Sequence, residues 1–134
     1  MSKSLIQTVN QSPQTVAENG IIAPGTVVRR YGCDLRLSGN AVEAVGQGYY
    51  EVDAAVTVEP TAAGVVTVAL LENGVQLPGA IASGQAAAAG DTVTLPLLAT
   101  IRHGCCCNGV ASITCVLLAG PGDVTNYTQR IVKS

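Results

Sequence analysis

Gly48-Tyr49-Tyr50-Glu51-Val52-Asp53-Ala54-Ala55-Val56-Thr57-Val58 alternates side-chain character with a period of two. Successive residues of an extended chain point to opposite faces, so Tyr50, Val52, Ala54, Val56 and Val58 share one face and Tyr49, Glu51, Asp53 and Thr57 the other. This is the pattern of a half-buried strand, ended by Glu59-Pro60. From Val93 to Ile101 it recurs, with Val93, Leu95, Leu97, Ala99 and Ile101 inward and Thr94, Thr100 and Arg102 outward. A third inward row is Ala111, Ile113, Cys115, Leu117 and Ala119.

Between the first two rows lies Val65 to Gly79, whose Asn73-Gly74 accepts the positive φ values of a type I′ turn and predicts a hairpin. Pro78 cannot donate to a ladder, so the second arm frays or lies at an edge there. Shorter strands fit residues 5–9, 26–30, 34–37, 42–45, 80–83 and 123–132. No long segment keeps the 3.6-residue apolar period of an amphipathic helix. The Ala86-Ala87-Ala88-Ala89-Gly90 run is short and uncapped, and reads as a loop or strand edge. About nine or ten antiparallel strands at this spacing predict an all-β sandwich or jelly roll.

The chain has 134 residues, enough for one domain that buries roughly two-thirds of its unfolded surface. Charged residues are only 12% against 48% hydrophobic, roughly half the usual charged share. Either Thr, Ser, Asn and Gln solvate the exterior, or much of it is covered by neighbouring subunits, where charge is costly. A net charge of −2 with scattered arginines supplies no basic footprint for nucleic acid. No apolar run is long enough to span a membrane, and Met1 to Thr8 lacks a secretory apolar core. Residues 1–25 read as an N-terminal polar arm or first strand, with 10–25 either a docking arm or an irregular first connection. Residues 26–134 are the jelly-roll domain.

Two segments carry a resemblance. Leu71-Glu72-Asn73-Gly74-Val75-Gln76-Leu77-Pro78-Gly79-Ala80 and Gly48-Tyr49-Tyr50-Glu51-Val52 are similar to the turn hairpin and the Gly-x-Tyr strand start of the C1q and tumour-necrosis-factor type jelly roll. The nearest form is the bacterial and phage one, related to the C-terminal domain of collagen-like spore-surface glycoproteins. The resemblance covers roughly residues 26–132. It implies an antiparallel sandwich of about ten strands, a tight three-fold trimer and no enzymatic activity. This chain has no Gly-x-y stalk and no Phe, which weakens transfer of animal ligand roles. A compact form with a polar arm looks more like a virion component, such as a phage head fibre, decoration or tail-appendage protein.

Five cysteines, at 33, 105, 106, 107 and 115, cannot all pair within one chain. Strand geometry would put His103, Cys105 and Cys107 on one face, as ligands for a soft metal. Gly104 and Asn108-Gly109 suggest a turn that breaks that alternation, so neither a metal nor a cofactor is expected. Cys105, Cys106 and Cys107 stand as candidates for an interchain disulfide, or as free thiols packed like small hydrophobes. Cys115 belongs to an inward row; Cys33 is undecided.

His103 is the only histidine, leaving one base for any catalytic triad; a strand-end packing role fits it better. Glu51 and Asp53 share an outward strand face and read as a solvated pair. Aromatic residues are only 3%, poor material for sugar stacking, with Tyr31, Tyr49, Tyr50 and Tyr127 remaining. Tyr49, outward among few charges, is the candidate for an intersubunit contact. The leading expectation is therefore a homotrimeric structural subunit on a virion surface, touching capsid or tail proteins and neither nucleic acid nor membrane. The alternatives are an adhesion module for a cell-surface glycan, with the Gly120 to Asp123 loop and Tyr127 in recognition, and a bacterial cell- or spore-surface subunit.

Overall fold

The computed structural model describes residues 4–103, 111–120 and 122–133, in which every regular element is a strand. In chain order these are β1 (Leu5–Asn10), β2 (Gln14–Val16), β3 (Gly20–Ile22), β4 (Thr26–Tyr31), β5 (Leu35–Ser38), β6 (Ala41–Ala44), β7 (Gly48–Pro60), β8 (Gly64–Glu72), β9 (Val75–Ala86), β10 (Val93–His103), β11 (Ala111–Ala119) and β12 (Gly122–Lys133). They form two six-stranded sheets, and every pairing is antiparallel. Sheet I runs β10-β7-β12-β1-β4, with β2 added to β12; sheet II runs β5-β6-β11-β8-β9, with β3 added to β11. The sequence expectation of an antiparallel jelly-roll sandwich holds.

The period-two rows become the core. Tyr50, Val52, Ala54, Val56 and Val58 of β7 are all buried, facing Val66, Val68 and Leu70 of β8 and Ile113, Cys115 and Leu117 of β11 from the opposite sheet. With no Phe or Trp, the filling is Val, Ile, Leu and Ala, plus Tyr50 and Tyr127 as the two largest fully buried side chains. Each such burial contributes roughly 1.5–3 kcal/mol.

The Asn73-Gly74 turn has φ of 52° and 84°, joining Glu72 to its partner Val75. The turn is also held to β11: Asn73 N–H donates to Ser112 O (2.8 Å), and Ser112 N–H donates back to Asn73 Oδ1 (2.9 Å). β9 is an edge strand, and its register against β8 shifts where Pro78 and Gly79 fall.

Residues 10–25, polar and without period, contain β2 and β3, which add one strand to each sheet. Their polar side chains act as local ties. Gln14 grips Ala23 from both sides, its Nε2 donating to Ala23 O (3.1 Å) and its Oε1 accepting from Ala23 N–H (3.0 Å); Asn10 Nδ2 donates to the same carbonyl.

Candidate assembly surface

The outward face of sheet I is built from the residues that β7 and β10 do not bury. Register fixes the rows across its strands. One row runs Leu98, Asp53, Arg130, Gln7 and Arg29, from β10 through β7, β12 and β1 to β4. Beside it runs Pro96, Ala55, Thr128 and Val9, and on the other side Thr100, Glu51, Val132, Leu5 and Tyr31. Pro96, Ala55, Thr128, Leu98 and the Asp53–Arg130 pair border a shallow hollow of about 410 Å³. Leu98, 69% exposed, stands at its rim.

The charges that border the hollow are spent on each other. Arg130 donates to Asp53 Oδ2 at 2.9 Å, an exposed pair that contributes only about 0.2–1 kcal/mol. Around the hollow the rest is methyl, proline, amide and hydroxyl surface with a protruding leucine, while Glu51, Arg102 and Arg29 lie farther along the face. Tyr49, at the end of β7 beside Arg102 of β10, is 54% exposed on the same face. Leu98 breaks the alternation of its strand: its signal in the sequence is a large apolar side chain at an outward position.

A second cluster closes one pole of the sandwich. Lys133 Nζ donates to Asp34 Oδ2 (2.8 Å), Ser4 Oγ reaches the same oxygen (3.3 Å), and Lys133 N–H donates to Ser4 O (2.9 Å). Ser4 is fully buried and Lys133 and His103 nearly so. Gly46 O accepts from the Tyr50 hydroxyl and from His103 Nδ1 (3.1 Å), which fixes that nitrogen as the protonated one. Burial, with Asp34 nearby, raises the Tyr50 phenol above its ordinary value against the opposing pull of the Gly46 bond. His103 thus packs at a strand end.

Between the sheets runs a polar seam. The Tyr127 hydroxyl donates to Gln129 Oε1 and lies in hydrogen-bonding reach of Cys115. Burial pushes the Cys115 thiol up to about 12 and Tyr127 well above its usual value. Tyr127 is fully buried, so it is no surface recognition residue; among the tyrosines only Tyr31 and Tyr49 are exposed. Cys33 is exposed, Cys115 is buried, and Cys105, Cys106 and Cys107 lie outside the described residues. Among the described residues no three His, Cys, Asp or Glu side chains converge as metal ligands.

No protein-family model and no curated protein matches this chain. Solved structures do. The globular domain of zebrafish complement 1qA superposes with a TM-score of 0.71 at 11% identity, over 96% of this chain and 94% of that one. Murine APRIL at pH 5.0 gives 0.70 at 14%, over 99% and 100%. The phage PRD1 vertex protein P5 gives 0.58 at 13%, over 96% and 94%. At such identities the likeness is one of fold, and the fold of this chain is the C1q/TNF-like jelly roll.

Proposed function

We propose that this chain is a non-enzymatic structural subunit of a virion surface, a head-fibre, decoration or tail-appendage protein that assembles as a homotrimer through the outward face of sheet I. The observation that carries the reading is that face itself, with Leu98 protruding at the rim of a largely apolar hollow and Tyr49 exposed farther along, in a chain of only 12% charged residues. A protruding apolar side chain beside an apolar hollow suits a head-to-tail contact, which closes into a ring when the rotation permits. The likeness to a phage vertex protein supports the virion setting. Tyr49 packs in the subunit contact, and Cys105, Cys106 and Cys107 are the candidates for crosslinking it.

Native mass by light scattering, with and without reductant, tests the assembly. Three copies in both conditions are expected from a packed interface. Dissociation on reduction assigns the contact to cysteine and favours a crosslinked coat subunit, and a monomer at micromolar concentration rejects the reading. The virion setting is tested by looking for the chain in purified particles, where it should occur in multiples of three per attachment site.

A further inference from the structure

The two sheet paths end in four edge strands, with three-residue β2 and β3 added beside them, and the four are not equivalent. β10 carries Pro96 in mid-strand, β9 carries Pro78 and a left-handed Gly79 (φ 77°), and β5 has only four residues. Each of these features blocks an incoming strand. β4 differs. Its six residues, Thr26-Val27-Val28-Arg29-Arg30-Tyr31, are all exposed, contain no proline and are rich in strand-forming types. Among the described strands β4 pairs with β1 alone; its register shifts once, at Val28, and from Arg29 to Tyr31 it is regular, so there its second row of N–H and C=O groups faces outward.

The charge of this edge is distinctive. Residues 26–38 hold Arg29, Arg30 and Arg36 against a single acid, Asp34, in a chain whose net charge is −2. Asp34 is paired with Lys133 and Arg36 with Glu43, so the two arginines of β4 carry the local excess. Their bonds are to backbone: Arg29 Nη1 to Val28 O (3.1 Å), and Arg30 Nε to Leu35 O (3.0 Å). Register places them on opposite faces. Arg29 pairs with outward Gln7, while Arg30 pairs with buried Ile6 and crosses toward β5 at the mouth between the sheets. Val27, Val28 and Tyr31 flank them, at 38%, 43% and 52% exposure.

We infer that β4 is a docking edge for an extended acidic segment of a partner protein, which adds to sheet I as a further strand. Two consecutive acidic residues in such a segment would stand on alternate faces, one opposite Arg29 and one opposite Arg30, with β-branched neighbours against Val27 and Tyr31. A second copy of this chain is disfavoured as the occupant. Antiparallel β4 strands would bring the two arginine pairs together, and like charges across a ladder oppose pairing. The edge thus selects an acidic guest and rejects itself.

The test uses the full chain in its native assembly, with the synthetic peptide Thr-Val-Glu-Glu-Val-Thr as probe and its Gln-Gln counterpart as control. The acidic peptide should shift the backbone amide resonances of β4 and β1. Binding should weaken at least about tenfold for the control peptide and for the Arg29→Glu/Arg30→Glu variant, and weaken as salt rises. Unchanged circular dichroism verifies the variant's fold. Absence of binding, equal binding of the two peptides, or shifts away from β4 overturns the inference. An Arg29→Thr/Arg30→Thr variant that self-associates, from a wild type that binds no peptide, reduces the arginines to guards of the edge and likewise overturns it.

Discussion

Gly46 lies so close to Asp34 that an ideal Cβ on the glycine would stand 2.1 Å from the carboxylate Oδ1 and 3.0 Å from the Asp34 Cβ. The carboxylate has little freedom to retreat, because Lys133 and Ser4 hold its other oxygen. Gly46→Ala should therefore destabilise the fold by about 1–3 kcal/mol, the usual cost of overpacking. Urea unfolding monitored by circular dichroism checks it, with Gly39→Ala as the contrasting case, since nothing approaches a Cβ there. Gly39 has a φ of 60°, so any loss at that site comes from backbone strain alone.

The Lys133–Asp34 pair should prove far stronger than the Arg130–Asp53 pair of similar length. Its side chains are 10% and 17% exposed, against 54% and 44% for the surface pair. Lys133→Ala removes the cation from a poorly solvated Asp34, which keeps its Ser4 bond, and should cost about 3 kcal/mol. Arg130→Ala should cost about 1 kcal/mol or less, with added salt shrinking the difference further. Comparable losses from both substitutions would contradict the burial argument.

The half-buried strands were legible because nothing but the pleat determines their alternation. The inward residues of Tyr50 to Val58, Leu95 to Ile101 and Ala111 to Leu117 lie where period two puts them, while a register shift after Leu117 takes Ala119 out of its predicted inward row. Legibility fails where a polar residue faces inward. Asn126-Tyr127-Thr128-Gln129 reads as a polar run, yet Tyr127 and Gln129 are buried and Gln129 stands opposite buried Thr8. The Asp34–Lys133 pair joins residues 99 apart, a separation with no local signature. Leu98 was legible in principle, since alternation marks it as outward, but only the assembled sheet sets it beside Pro96 and Ala55. The exposure of the whole of β4 follows from sheet order, which its own composition does not encode.

Cysteine reactivity should separate by burial. Cys33 is exposed and should be alkylated by iodoacetamide in the native protein, whereas Cys115, 1% exposed, should react only after unfolding. Peptide mapping of the alkylated sites before and after denaturant distinguishes the two. Labelling of Cys115 in the native state would mean that the sandwich opens readily.

Alkaline stability should depend on the same thiol. Unfolded, Cys115 ionises near 9.0; folded, only near about 12. Between those values the folded state holds the proton that the unfolded state has released. Its contribution is fully present below pH 9 and falls away as pH climbs to 12, by about 4 kcal/mol in total. Tyr127 and Tyr50, both raised by burial, act in the same direction at higher pH. Cys115→Ala should therefore flatten, without abolishing, the decline of unfolding free energy between pH 9 and 12. The slope is the informative quantity, because the cavity left by the substitution lowers stability equally at every pH.

Leu98→Asp offers the sharpest separation of fold from assembly. The residue is 69% exposed on an outward strand position, so its replacement should change monomer stability by no more than about 0.5 kcal/mol. In the proposed trimer the same position is covered. There an aspartate would lie close to Asp53, its register partner across the ladder, adding like-charge repulsion to the cost of burying a carboxylate. The native mass should fall from three copies to one while the circular dichroism spectrum is kept. Tyr49→Asp should act in the same sense, and Val75→Asp, on the exposed turn at the far edge of sheet II, should leave the mass unchanged. A trimer that survives Leu98→Asp but dissociates with Val75→Asp would place the contact on the other sheet.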